Sequence, residues 1–197
     1  MRGLRRKGGA DADGAAAELP RLSWPVRRDG EDLVISVIPS RVPGDERMRV
    51  IDMVPEDGET APELTQAADA PGTVAIQGFT LSTPDGGLLS FTLAVSLADI
   101  PYPETAELPE HDVSECRLAC GPALRIFKWT EPGTETDPGP PVSMFGTTYL
   151  AQTDYGVLAL AFATPHVDGA REFAVLFEAI AQSCTIQPAE SASATAT

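Results

Sequence analysis

The chain has no asparagine at all, so glycosylation at an N-x-S/T site is excluded. It has two histidines, His111 and His166, and two lysines, Lys7 and Lys128. Its three cysteines, Cys116, Cys120 and Cys184, are too few and odd in number for a disulfide-stapled secreted scaffold. No stretch approaches the roughly 18 consecutive apolar residues of a membrane helix. The motifs of several chemistries are missing too. There is no G-x-S-x-G elbow, S-x-x-K or H-E-x-x-H, and no glycine-rich phosphate cradle of either common type. Nucleophile–base pairs need a positioned imidazole or its equivalent, and the two histidines supply little for one.

Positive charge is scarce where it would matter. The net charge is −15, and after Arg49 the only basic residues are Arg117, Arg125, Lys128 and Arg171. A body this acidic repels nucleic acid and anionic lipid, which both need clustered Lys and Arg. The basic start, Arg2, Arg5, Arg6 and Lys7, is short and followed by Asp11 and Asp13, so it reads as a solvated tail. Residues 8–20 lack the apolar core of a secretory signal and any lipidation cysteine, and the expected location is the cytoplasm.

What is present suits one folded domain. The chain has 197 residues with 43% hydrophobic and 22% charged, enough for a single core. Residues 1–20 and 187–197 are small, polar and aperiodic and read as disordered tails, leaving a domain over 21–186. Asp32–Pro39 and Arg47–Val54 alternate like strands. Thr60 followed by Glu63 resembles a capping box, which predicts a short helix within Gly58–Gly72. Thr73–Ser82 and Leu88–Leu97 flank Pro84-Asp85-Gly86 and read as a hairpin, with a bulge at Gly78. Residues 99–122, with four prolines and six carboxylates, read as a long acidic loop. Glu131–Pro141 reads as another.

Ala123–Thr130 returns to strand character. Met144–Thr153 and Gly156–Thr164 form a second hairpin across Asp154-Tyr155-Gly156. Asp168 then caps a helix from about Gly169 to Ser183. Phe173, Leu176, Phe177, Ile180, Ala181 and Cys184 fall on one stripe of it. The expected fold is α+β: an antiparallel sheet of about six or seven strands under a C-terminal amphipathic helix and a short helix, an α/β/α sandwich.

The block Tyr149–Cys184 (YLAQTDYGVLALAFATPHVDGAREFAVLFEAIAQSC), preceded by GPALRIFKW at Gly121–Trp129, resembles the PsbP/Mog-type superfamily. It looks most like the actinobacterial LpqN-type small proteins. The likeness covers the last third of the chain well and the rest by strand order alone. It implies the α/β/α sandwich and non-enzymatic work: PsbP-like proteins assist photosystem assembly, and the Mog-type protein binds a small GTPase. LpqN-type members are exported lipoproteins. This chain departs from them at its start, so a cell-surface role does not carry over, and no functional residue maps across.

Several residues have competing readings. Cys116, Cys120, Cys184 and His111 make a structural-zinc donor set, against the plainer reading of two loop thiols and one core thiol. A Cys116–Cys120 disulfide is a further option. His166 reads as a loop residue at the helix entry. Trp24 is a staple for the amino end or a partner anchor. The carboxylates Glu104, Glu107, Glu110 and Asp112 lack the spacing of a calcium loop. Arg125, Phe127 and Trp129 share one strand face. They are core if a second layer covers that face, and an interface patch if none does. The expectation for function is a non-catalytic module that binds another protein, with no cofactor or metal, no nucleic acid and no membrane partner. A small-ligand-binding domain is the alternative, and an enzyme working by carboxylates alone is a third reading.

Overall fold

The structure is a computed structural model that describes residues 21–38, 54–55, 72–82, 87–104, 112–130 and 143–189. The expected tail at 1–20, residues 190–197 of the tail expected over 187–197, the strand expected over Arg47–Val54 apart from Val54, the short helix within 58–72, the second acidic loop and His111 lie outside the described residues.

Strands β1 (Leu22–Arg28) and β2 (Glu31–Val37) form a hairpin. Asp29 and Gly30 make its two-residue turn, both at positive φ (50° and 87°). That conformation matches strand twist, and an Asp-Gly pair adopts it readily. Pro25 obscured β1 in the sequence. A proline is tolerated because β1, among the described residues, is an edge strand that pairs with β2 alone. Leu22, Trp24 and Val26 pack against the core from this strand, which supports Trp24 as a staple. Strand β10 (Thr185–Pro188) pairs with the other side of β2. It includes Gln187 and Pro188, which composition alone assigns to the tail.

The larger sheet has seven strands in the order β3-β4-β5-β9-β8-β7-β6, each neighbouring pair antiparallel. Its members are β3 (Val54–Pro55), β4 (Thr73–Ser82), β5 (Leu88–Ala98), β6 (Asp112–Leu118), β7 (Gly121–Thr130), β8 (Met144–Thr153) and β9 (Gly156–Thr164). Both expected hairpins are present, in the registers Ser82↔Leu88 and Thr153↔Gly156. The bulge is elsewhere: register slips between Thr73 and Ala75, and Gly78 pairs regularly with Thr92. The odd spacing of Ile76 and Phe79 reflects two faces of one regular strand, with Phe79 on the core side.

Strand β6 lies inside the stretch read as an acidic loop. It is an edge strand that exposes Asp112, Glu115 and Arg117, and charge on a sheet edge discourages unwanted pairing. Its half-buried residues, Val113, Ser114 and Cys116, do not alternate with the exposed ones in an apolar pattern, so the strand signal was weak.

Helix α1 (Ala170–Gln182) follows a 3₁₀ turn at Val167–Gly169. Gly169 is its N-cap, and Asp168 lies in the 3₁₀ turn and makes no capping bond. The apolar stripe is buried as expected. Phe177 lies 4.7 Å from Phe162 on β9, 5.3 Å from Phe91 on β5 and 6.3 Å from Phe145 on β8, measured between ring centroids. The helix therefore crosses the middle of the sheet. Burying each such side chain stabilises by about 1.5–3 kcal/mol before entropy. Leu33, Ile35 and Val37 of β2 join the same core.

On the opposite sheet face, Thr92, Ala94, Ala159, Ala161 and Thr148 are small and half-buried. Among the described residues there is one α-helix, so the fold is α+β, dominated by antiparallel sheet.

Candidate interaction site

Strand β7 places Arg125, Phe127 and Trp129 on the face that carries α1. The register sets them beside Tyr149, Thr147 and Phe145 of β8. On the other side Ser114 of β6 stands opposite Arg125. The three residues form one line that runs from beneath the helix to the end of the strand.

Arg125 is held from three directions. Its Nη1 donates to Glu178 Oε2 at 3.0 Å, and its Nε donates to Ser114 Oγ at 3.2 Å. Its guanidinium carbon lies 5.0 Å from the centroid of the Phe127 ring, within cation–π range. Glu178 comes from α1, where Gln182 also donates to it at 3.2 Å. The planar fork is thus preorganised before any partner arrives.

The two aromatics divide between core and surface. Phe127 is half-buried, with its ring 6.1 Å from that of Phe145. Trp129 also contacts Phe145, at 5.1 Å, but is 60% exposed. Val175 of α1 is also exposed. Large exposed side chains backed by a rigid aromatic layer are typical of interface anchors.

Beside this line, on β8, lie two buried hydroxyls, Thr147 Oγ1 and Tyr149 Oη, with no hydrogen-bond partner. Burial pushes the Tyr149 phenol well above its ordinary 10.0, and the Glu178 carboxylate adds to that while Arg125 opposes it. Cys116 is also pushed up, chiefly by burial, with the Arg125 guanidinium working against the shift. Both groups remain protonated near neutral pH, so neither is an activated nucleophile.

All three cysteines are free. Cys116 lies on β6 opposite Ala123, and Cys120 lies in the β6–β7 turn. The Cys184 side chain holds the Cys120 thiol below its usual range against the effect of burial, while Cys120 and burial push the Cys184 thiol, at the exit of α1, up. Among the described residues no three His, Cys, Asp or Glu side chains converge as a metal site. His166 is half-buried with its ring 6.1 Å from that of Phe173. Glu104 and Asp112 are exposed, whereas Glu107 and Glu110 lie outside the described residues.

A second feature is a cleft of about 350 Å³ lined by Pro25, Arg27 and Arg28 of β1, with Thr73, Val74 and Leu97. Arg28 Nη2 is 3.5 Å from Asp99 Oδ2, and Arg28 Nε is 3.5 Å from Asp29 Oδ2. The buried Nε makes no hydrogen bond.

No protein-family model, curated protein or solved structure matches this chain. Sequence reasoning found the β7 line through its alternation. It missed Glu178 and Ser114, because one flanks the helix stripe and the other lies in a strand mistaken for loop. Among the described residues no helix is long and apolar enough to cross a membrane.

Proposed function

We propose that this chain is a non-catalytic binding module whose partner protein docks on the β7 line of Arg125, Phe127 and Trp129 beside α1. The carrying observation is Trp129, 60% exposed yet backed by Phe145. A flat, rigid indole at a surface contributes large contact area at low entropic cost. Arg125 supplies a fixed polar group on the same strand face, beyond Phe127. The acidic body directs the partner choice toward proteins rather than nucleic acid or anionic lipid. The chain's place is the cytoplasm, and its architecture the α/β/α sandwich of the PsbP/Mog-type and LpqN-type proteins. The helix stripe, the antiparallel sheet and the sequence block Tyr149–Cys184 support that kinship.

Quantitative affinity capture with the full chain and with Trp129→Ala tests this reading. A protein bound by the wild type and lost at least about tenfold with Trp129→Ala supports it, since an interface anchor is worth about 2 kcal/mol or more. Equal capture by both, or no specific protein with either, contradicts it.

The cleft at Arg28 favours a second reading, a site for a small anionic ligand. It ranks below the first because Asp29 and Asp99 already face the guanidinium. Titration with inorganic phosphate, followed by thermal shift, tests it. An unchanged melting temperature removes it.

A further inference from the structure

Arg28 and Arg125 are both partly buried, and they are held very differently. Arg125 donates from two of its nitrogens, at 3.0 and 3.2 Å. Arg28 has Asp29 against Nε and Asp99 against Nη2, each at 3.5 Å. That is longer than the roughly 2.7–2.9 Å of a charge-assisted hydrogen bond. The two carboxylates are 88% and 91% exposed, so water screens them. The Arg28 side chain is only 22% exposed, and its buried Nε makes no hydrogen bond. One edge of a planar fork is thus buried and unsatisfied, in the geometry that takes a carboxylate through two parallel bonds.

The cleft around Arg28 also has an open strand edge along one wall. Residues 25–28 of β1 form one side and Gly72, Thr73 and Val74 the other, with Leu97 of β5 completing the lining. Among the described residues, β4 pairs on its outer side with β3 alone, at Phe79 and Thr80. No described strand therefore pairs with residues 74–77 on that side. The register slip between Thr73 and Ala75 falls beside the cleft, and such a bulge re-aims the backbone. This corner is anchored, because Leu97 N–H donates to the Gly72 carbonyl at 2.9 Å. On the facing wall Pro25 carries no N–H, so β1 cannot supply a full ladder and β4 must.

We propose that this cleft takes the carboxyl terminus of an extended polypeptide, which adds a short strand to the open edge of β4 while its terminal carboxylate docks on Arg28. The volume of about 350 Å³ is near the lower end for ligand pockets, and it suits a chain end of about two or three residues. A small anion gains only the guanidinium here and meets Asp29 and Asp99 beside it. A peptide end carries a single charge and adds main-chain hydrogen bonds. The proposal deepens the reading of this cleft as an anion site, on which it rests, and is independent of the docking line on β7.

The test is titration of the isotope-labelled full chain, followed by amide and arginine Nε–H resonances, with three probes. These are acetyl-Ala-Val-Ala with a free carboxyl terminus, the same peptide as its C-terminal amide, and inorganic phosphate. The free acid is expected to shift Arg28 and Val74 together and to bind at least about tenfold more tightly than the amide, the worth of a charge-assisted pair. Arg28→Gln should abolish that difference. Phosphate should shift Arg28 more weakly. Equal binding of acid and amide by the wild type overturns the proposal. Binding of phosphate with none of either peptide also overturns it and leaves the small-anion reading standing, whereas no binding of any probe removes both.

Discussion

Arg125 of β7 and Glu178 of α1 meet at 3.0 Å, and this contact ties the helix to the outer part of the sheet. Both side chains are partly open to solvent, so screening limits the value of the pair. Glu178→Ala is expected to lower stability by only about 0.5–1 kcal/mol in urea unfolding. Arg125 keeps Ser114 and the Phe127 ring as neighbours in that variant. A loss of several kcal/mol would show that the pair carries more of the helix docking than its exposure suggests.

Phe177 is the opposite case, a fully buried ring that touches three strands. Phe177→Ala removes that packing and leaves a cavity. The expected cost is about 3–5 kcal/mol, read from the midpoint of chemical unfolding. A cost under 1 kcal/mol would mean that the helix is not seated across β5, β9 and β8.

Gly156 closes the β8–β9 hairpin at φ of 117°, where a Cβ would lie 2.6 Å from the Ala98 carbonyl oxygen. Gly156→Ala is expected to destabilise by about 1–3 kcal/mol through backbone strain. Gly30→Ala is the useful comparison. Its φ is also positive, but nothing lies near its missing Cβ, so the cost should be smaller.

Tyr149 predicts a pH effect. Its phenol is buried without a partner and held protonated above its ordinary 10.0. The raised folded value gives stability that is fully present below the unfolded value. As pH climbs past about 10, the unfolded chain releases this proton and the folded chain does not, so stability falls. Tyr149→Phe should flatten that alkaline decline. At pH 7 it should be neutral or slightly stabilising, because it removes a buried hydroxyl that satisfies nothing. Chemical unfolding at pH 7 and pH 10.5 for both proteins measures the two effects. An equally steep alkaline decline in the variant would place its cause elsewhere.

Legibility in the sequence followed the strength of local pattern. The α1 stripe and the β8–β9 hairpin were plain because periodicity and turn chemistry agreed. Strand β1 was hidden by Pro25, which only an edge position excuses. Strand β6 was hidden by its charges, which also belong to an edge. Both misses therefore share one cause: edge strands carry residues chosen against pairing, and those residues read as loop. The β7 line was visible as alternation, but its partners Glu178 and Ser114 come from elements whose placement depends on tertiary packing.

The docking claim is tested most directly by oxidative footprinting of the two tryptophans, in the purified chain and in the complex it forms with its captured partner. Trp24 packs against the core and serves as an internal reference. The account predicts that Trp129 is readily oxidised in the free chain and strongly protected in the complex, with Trp24 unchanged. Trp129 equally reactive in both states would contradict it.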